Sequence, residues 1–480
     1  MISYRGMRPK NIPLLTQLQT HITHKKWPFY FIAIILYLVV AHMQFVGFSE
    51  AAQKTLAVFA VASFLWITNS LPIAVTGIVV LFLLPVSGAL TAAKTYSYFG
   101  NPAVFFILGA LILASPVMRS GLSTRIAVGI ISRFGKGPTS LLFSLFSLSA
   151  LLSFIMSEHA VAAMLYPIVV EVVNASKVEK GSRFGFAAFI SMAWGSAIGG
   201  TATLLGGARA PLAIGILQSS TKLDISFVQW TLWVFPAVLI ILAIAFTVIF
   251  LISRNSSVSI EETHAQVAKH YKTLGPLTAR EIYTLLILGL TIILWVFYGH
   301  EYGLDVVAFF GVILAFTFRV AHWKEVEKDV QWSIVVMYGS AIALGAAMRD
   351  TGGAAALVNL TLKAGLDSPF VIFMLLCLLA LVLTEAMSNA ASVAVLLPIG
   401  IALGQKYNID PRAISVAVAT CAGLAFMLPV STPAVAIISD NPYVKVSKLV
   451  RWGALIKLFC IPVLVLLFLY YWPMFGLNIG

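Results

Sequence analysis

Glu158 and His159 stand side by side in FIMSEHAVAAMLYPIVV (154–170), an acid and a base inside an otherwise apolar run. A second apolar run, IGGTATLLGGARAP (198–211), is interrupted by Arg209. An ionised side chain at the centre of a bilayer costs about 2.5–3.5 kcal/mol even on the lenient insertion scale, so such groups are rarely idle. Several kinds of chemistry are open to these three. Glu158 or His159 could load a proton, and His159 as a cation could hold an anion directly. Arg209 and Glu158 could pair as a guanidinium–carboxylate fork, or all three could form a permanent knot that only fixes the backbone. Ser157 with His159 is the sole hook for an intramembrane hydrolase, because a nucleophile needs a base within reach. The related stretch at Ser388 has no histidine, which speaks against catalysis, and no catalytic residue is assigned.

These residues lie in a chain of 480 residues that is 60% hydrophobic and only 10% charged, with a mean hydropathy of +0.97. A soluble chain of this length would need several domains with charged surfaces. This one offers many runs near the roughly 20 residues that span a bilayer as a helix. It reads as an all-α polytopic membrane protein. The first apolar run, 29–46, has no small-residue cleavage site after it and reads as a retained span. Cys377, Cys421 and Cys460 sit in apolar runs at unrelated spacing and read as small hydrophobes. Trp27, Tyr30, Trp230, Trp233, Trp323, Trp332, Trp452, Tyr470, Tyr471 and Trp472 fall near run ends and are expected to be interfacial anchors.

Charge placement sets a topology. With the N-terminus in the cytoplasm and runs 140–173 and 369–405 each folded as hairpins, cytoplasmic segments hold 22 of the 31 Lys and Arg and external segments seven. That is the positive-inside pattern, so the net charge of +13 needs no nucleic acid partner. About 11 transmembrane helices plus two re-entrant hairpins result. Each hairpin is interrupted midway by small and polar residues, Ser157-Glu158-His159-Ala160 and Ser388-Asn389-Ala390-Ala391. Such backbone is tolerated at membrane depth only where protein or a watery cavity satisfies it.

The halves match each other. SEHAVAAMLYPI (157–168) precedes SNAASVAVLLPI (388–399) by 231 residues, and each hairpin is followed by a Gly-, Pro- or Thr-rich break, IGGTATLLGGARAP and MLPVSTPAVA (427–436). On the charge-derived topology the repeats are inverted, the architecture of alternating access. The expected organisation is a cytoplasmic segment 1–27, N-terminal scaffold helices 28–90, a first repeat 91–252, a cytoplasmic connection 253–280 and a second repeat 281–480. Helix breaks offer N–H groups to an anion and C=O groups to a cation, so the four breaks ask for two cation subsites around one anion.

The paired hairpin tips followed by Pro-Ile, the TEAMSNAA run (384–391), the IGGTATLLG break and the MLPVSTP break together resemble the divalent anion:sodium symporter family, the sodium/sulfate–dicarboxylate carriers, over about 28–473. The resemblance implies a homodimeric, elevator-type secondary transporter in the cytoplasmic membrane. It would carry di- or tricarboxylates or sulfate, with no organic cofactor and with Na+, or in a variant H+, as coupling ion. It also implies a first cation subsite of Ser153, Ser157, residue 158 and the Gly206-Gly207 backbone, and a second, holding Na+, of Thr384, Ser388, Asn389, Ser431 and Thr432. Substrate would touch Glu158, His159, Asn389, Ala390, Thr432 and Pro433.

The sequence departs from that pattern where the family tip reads Ser-Asn-Thr. Glu158-His159 replace Asn-Thr in the first tip and Ala390 replaces Thr in the second. The Pro-Pro-Asn that follows each break becomes Ala208-Arg209-Ala210 and Pro433-Ala434-Val435. Arg209 is therefore expected to stand in for the first sodium, with Glu158 as its counter-ion. An anion exchanger, uniporter or channel without sodium coupling is the alternative. Glu385 could orient the second tip, or could serve as a cavity-facing hydrogen-bonding group without ion contact.

Overall fold

The computed structural model describes residues 26–43, 48–254, 256, 258, 260–362 and 368–478. Most of the expected cytoplasmic segment 1–27, the end of the first apolar run and Lys363 lie outside the described residues. So do 255, 257 and 259 of the connection and the last two residues of the second repeat. Among the described residues every regular element is helical.

The chain opens with α1 (Trp27–His42), α2 (Glu50–Thr68), α3 (Ile73–Val86) and the short α4 (Ala92–Phe99). Next come α5 (Pro102–Arg119), α6 (Leu122–Phe134), α7 (Pro138–Ser153), α8 (Glu158–Ala175), α9 (Arg183–Gly199), α10 (Arg209–Thr221) and α11 (Phe227–Ser253). After α12 (Glu261–Thr273) follow α13 (Ala279–Tyr302), α14 (Leu304–Thr317), α15 (Trp323–Asp329), α16 (Trp332–Asp350) and α17 (Gly353–Leu362). The chain ends with α18 (Pro369–Ala386), α19 (Asn389–Tyr407), α20 (Pro411–Gly423), α21 (Pro433–Ser439) and α22 (Val446–Leu466). Among the described residues nine helices are long and apolar enough to cross a bilayer, and α1, α3, α7 and α14 are shorter apolar helices.

All four interrupted runs break where their small and polar residues fall. Run 140–173 becomes α7 and α8, and run 369–405 becomes α18 and α19. The reason is capping: Ser157 Oγ accepts from Ala160 N at 3.3 Å and Ser388 Oγ from Ala391 N at 3.3 Å, each starting a new helix at the tip. Runs 184–217 and 411–439 likewise split into α9/α10 and α20/α21. Glycine lets α9 lie against α7. A Cβ at Gly195 would fall 2.5 Å from Phe146 O, and one at Gly199 would fall 2.4 Å from Ala150 O. Small residues permit this backbone approach between membrane helices.

The basic connections gather as charge placement requires. Arg119 binds Asp329 at 2.6 Å, Arg280 binds Glu325 at 2.8 Å and Lys177 binds Glu262 at 2.6 Å. Arg125 grips Glu281 at 2.7 Å together with three carbonyls of 274–276, and Tyr443 Oη donates to Val178 O. Segments 119–138, 174–183, 253–280, 319–331 and 441–451 thus form one face. Both roots of the first hairpin lie there, since Ser132 and Ser176 contact His264 and Thr263. Helix α16 leaves this face at Trp332 and ends about 28 Å away at Asp350, which holds Lys94 at 2.7 Å and bonds Tyr98. Arg349, on that far face, lines a cavity with Gln405 and Lys406 at the end of the second hairpin.

Among the described residues five short helices, α4, α6, α12, α15 and α17, occupy connections between the apolar runs. One reading needs correction. Trp230, Trp233 and Trp472 are not interfacial anchors but are buried. Their indole or carbonyl groups are used inside the fold: Trp230 Nε1 donates to Thr201 O and Trp472 Nε1 to Trp233 O. Trp27, Trp323, Trp332 and Tyr470 are exposed as expected.

Candidate functional site

The two hairpin tips meet. Asn389 Nδ2 donates to Glu158 Oε1 at 3.3 Å across 231 residues of chain. The other carboxylate oxygen, Oε2, accepts from Arg209 Nη1 at 3.1 Å. Arg209 is only 1% exposed and Glu158 6%, so this is a desolvated ion pair. Its remaining contacts tie it to the first break: Nη2 donates to Thr201 Oγ1 at 2.7 Å and to Ala197 O at 3.2 Å. Arg209 also reaches the second break, because a Cβ on Gly423 would lie 2.3 Å from its Nε. That Nε has no hydrogen-bond partner among the described residues. One guanidinium therefore touches the first hairpin tip and both breaks.

The other residues expected at the first subsite surround this pair. Glu158 N donates to Gly206 O at 2.9 Å, fixing the tip to the break. Gly207 packs against Arg209, with room for no side chain there. Ser153 Oγ is buried without a partner among the described residues, as is His159 Nδ1. An unsatisfied buried hydroxyl and imidazole at one tip are groups able to take a ligand.

At the second tip Thr384 Oγ1 lies 2.8 Å from Asn389 Oδ1 and 2.6 Å from Ala422 O. This cluster of neutral oxygens suits a monovalent hard cation. Among the described residues no group of three or more His, Cys, Asp or Glu is placed to hold a metal. Ser388 caps α19 and Ala390 is buried behind it. The bonds of Ser431 and Thr432 stay within their own segment: Ser431 Oγ donates to Leu428 O and Thr432 Oγ1 caps α21. Pro433 opens α21 and is exposed.

Glu385 takes a hydrogen-bonding role at the second break. It accepts from Phe426 N, Met427 N and Leu428 N at 3.0–3.1 Å, so it clamps the second break. It also pairs with Lys457 Nζ at 2.6 Å, and that ammonium donates to Leu381 O as well. Lys457 belongs to the same constellation and was missed. The signal that could have found it is that Lys457 and Arg209 are the two basic residues left inside spans by the charge count, each in need of a buried acid.

Helices broken in pairs, with two tips in contact and buried ion pairs bracing them, define a polytopic helical membrane protein built around central breaks. Residues 23–478 match the family described as sodium:sulfate symporter transmembrane region. The chain is 29% identical over 429 residues to the sodium-dependent dicarboxylate transporter SdcS of Staphylococcus saprophyticus, covering 84% of this chain and 82% of that one. It is 26% identical to an uncharacterised transporter of Haemophilus influenzae, over 94% and 98% of the two chains. The fold is similar to that of the Alcanivorax borkumensis YdaH transporter, with a TM-score of 0.52, 16% identity and coverage of 95% and 100%. The protein belongs to the sodium:sulfate symporter family and is a membrane transporter rather than an enzyme.

Proposed function

We propose that this protein moves small divalent anions across the cytoplasmic membrane by alternating access, with a di- or tricarboxylate or sulfate as cargo. The dicarboxylate reading is favoured by the name of the Staphylococcus saprophyticus relative. The observation that carries the coupling scheme is the buried Arg209–Glu158 pair at 3.1 Å. In this scheme the Arg209 guanidinium stands as a fixed cation at the first subsite, so one mobile sodium is dispensed with. Sodium binds only at the second subsite, among Thr384, Ser388, Asn389 and the Ser431-Thr432 backbone. Cargo lies between the tips against His159, Asn389, Ala390 and the Thr432-Pro433 helix start, as does the Asn389-bonded edge of Glu158.

On this reading the N-terminus and the basic face are cytoplasmic. The first hairpin opens inward and the second outward within inverted repeats 91–252 and 281–480. The first repeat's hairpin is 140–173, the second's is 369–405, and 28–90 joins the scaffold. The working unit is a homodimer whose transport elements slide as an elevator. In proteoliposomes, labelled succinate uptake should rise with an inward sodium gradient and show a single-site sodium dependence. Malate, citrate, sulfate and phosphate compete in the order of their fit to the site. Thr384→Val should raise the half-saturating sodium concentration about tenfold, the loss of one such oxygen ligand being worth 1–2 kcal/mol. Uptake indifferent to sodium but accelerated by internal dicarboxylate would replace symport with exchange, the alternative that a self-neutralised first subsite favours.

A further inference from the structure

Four cations without carboxylate partners share one cavity on the basic face, far from the tips. The cavity, of about 420 Å³, lies where the start of α9, the end of α11 and the start of α22 converge, and it is lined by Arg183, Arg254, Lys448 and Arg451 with Phe186 and Trp452. No acid lines it, and none of the four joins an ion pair among the described residues. Arg119, Arg125, Lys177 and Arg280 on the same face are all paired. Lys448 Nζ sits 5.7 Å over the Phe186 ring and reaches Gly181 O at 3.4 Å, while Arg451 sits 5.9 Å over Trp452. Holding four like charges together without an acid is unfavourable unless an anion joins them.

We propose that this cavity binds the phosphodiester headgroup of an anionic membrane lipid. The shared chemistry, a phosphate monoanion, could also come from a soluble phosphate. The lipid source is favoured by what adjoins the cations on the same helices. Phe250 and Leu251 of α11 and Val446 and Val450 of α22 are 38–45% exposed, giving apolar surface for acyl chains beside a basic headgroup pocket. Basic pockets between membrane helices on one face recognise anionic headgroups in this way. The site also touches the helix that carries Lys457, the partner of the Glu385 clamp.

The test uses the full chain purified in a neutral detergent, with thermal unfolding followed during separate titrations of phosphatidylglycerol, phosphatidylcholine, inorganic phosphate and glycerol 3-phosphate. Phosphatidylglycerol should raise the unfolding temperature saturably, and the other three should not. In R183Q/K448Q/R451Q the half-saturating phosphatidylglycerol should rise tenfold or more, each variant being read against its own lipid-free baseline. The single variant R254Q should shift it several-fold, which keeps the test open if the triple variant does not fold. Lys445→Gln, an exposed cation of the same face outside the cavity, should leave the titration unchanged. An equal response of the variants and the parent would overturn the site. Equal stabilisation by inorganic phosphate would overturn the lipid assignment.

Discussion

Arg209 is the residue on which the first tip depends. Removing one partner of a buried pair strands the other, which costs about 3–5 kcal/mol, so Glu158→Gln should lower the unfolding temperature markedly. The double variant E158Q/R209Q removes both charges and should regain much of that stability without regaining transport, measured by thermal unfolding beside uptake. If the double variant were as unstable as the single one, Arg209 would be held by Thr201 and Ala197 rather than by Glu158. His159 has a different expected profile, since its Nδ1 is buried and unpartnered among the described residues. His159→Ala should raise the KM for anion with little change in unfolding temperature. The Arg209–Glu158 pairing was legible because two charges in apolar runs must find each other. The Glu385–Lys457 pair obeys the same rule, because Lys457 is the other base inside a span, but its position alone does not say which acid it meets 72 residues away.

At the scale of elements, the breaks are positioned by backbone contacts that leave no room for side chains. Gly423 ends α20 with Arg209 Nε and Thr201 Oγ1 at 2.3 and 2.7 Å from where a Cβ would stand. Gly423→Ala should therefore displace the guanidinium and cost about 1–3 kcal/mol. Uptake should fall more than unfolding temperature alone explains, and an unchanged sodium titration together with full uptake would refute the contact. The breaks themselves were readable from Ser, Gly, Pro and Thr clusters inside long runs, as Ser157 and Ser388 illustrate. Helices α6 and α12 were not readable from hydropathy, because what orders them is a mutual contact, His264 Nε2 to Ser132 O, rather than an apolar stretch.

At the scale of the whole molecule, the sorting of basic segments to one face was visible in sequence, since Lys and Arg placement is selected by the bilayer and not by packing. The acids that pair with them on that face had to be seen in three dimensions. Asp329 is one of these. Burial alone would push its carboxyl up, but the Arg119 guanidinium and the Ser115 hydroxyl outweigh that and hold it below its ordinary 3.8. A depressed carboxyl contributes stability above its unfolded pKa and loses it as pH falls through the folded value. Its contribution should be constant from pH 5 to 8, begin to fall as pH drops below about 3.8 and be lost once pH passes below the folded value. Asp329→Asn should lower the unfolding temperature at neutral pH and flatten that acid limb. The buried pair at the first tip has an electrical consequence. Arg209 and Glu158 sum to zero charge, so in the proposed elevator motion, where the first tip and the start of α10 travel together, the pair does no net work against the membrane field. Each elementary charge moved through 100 mV is worth about 2.3 kcal/mol. The voltage across the membrane can therefore act only on the cargo and whatever mobile ion travels with it. A dianion moving with a single sodium leaves one negative charge to be driven, so its import would slow as the interior becomes more negative.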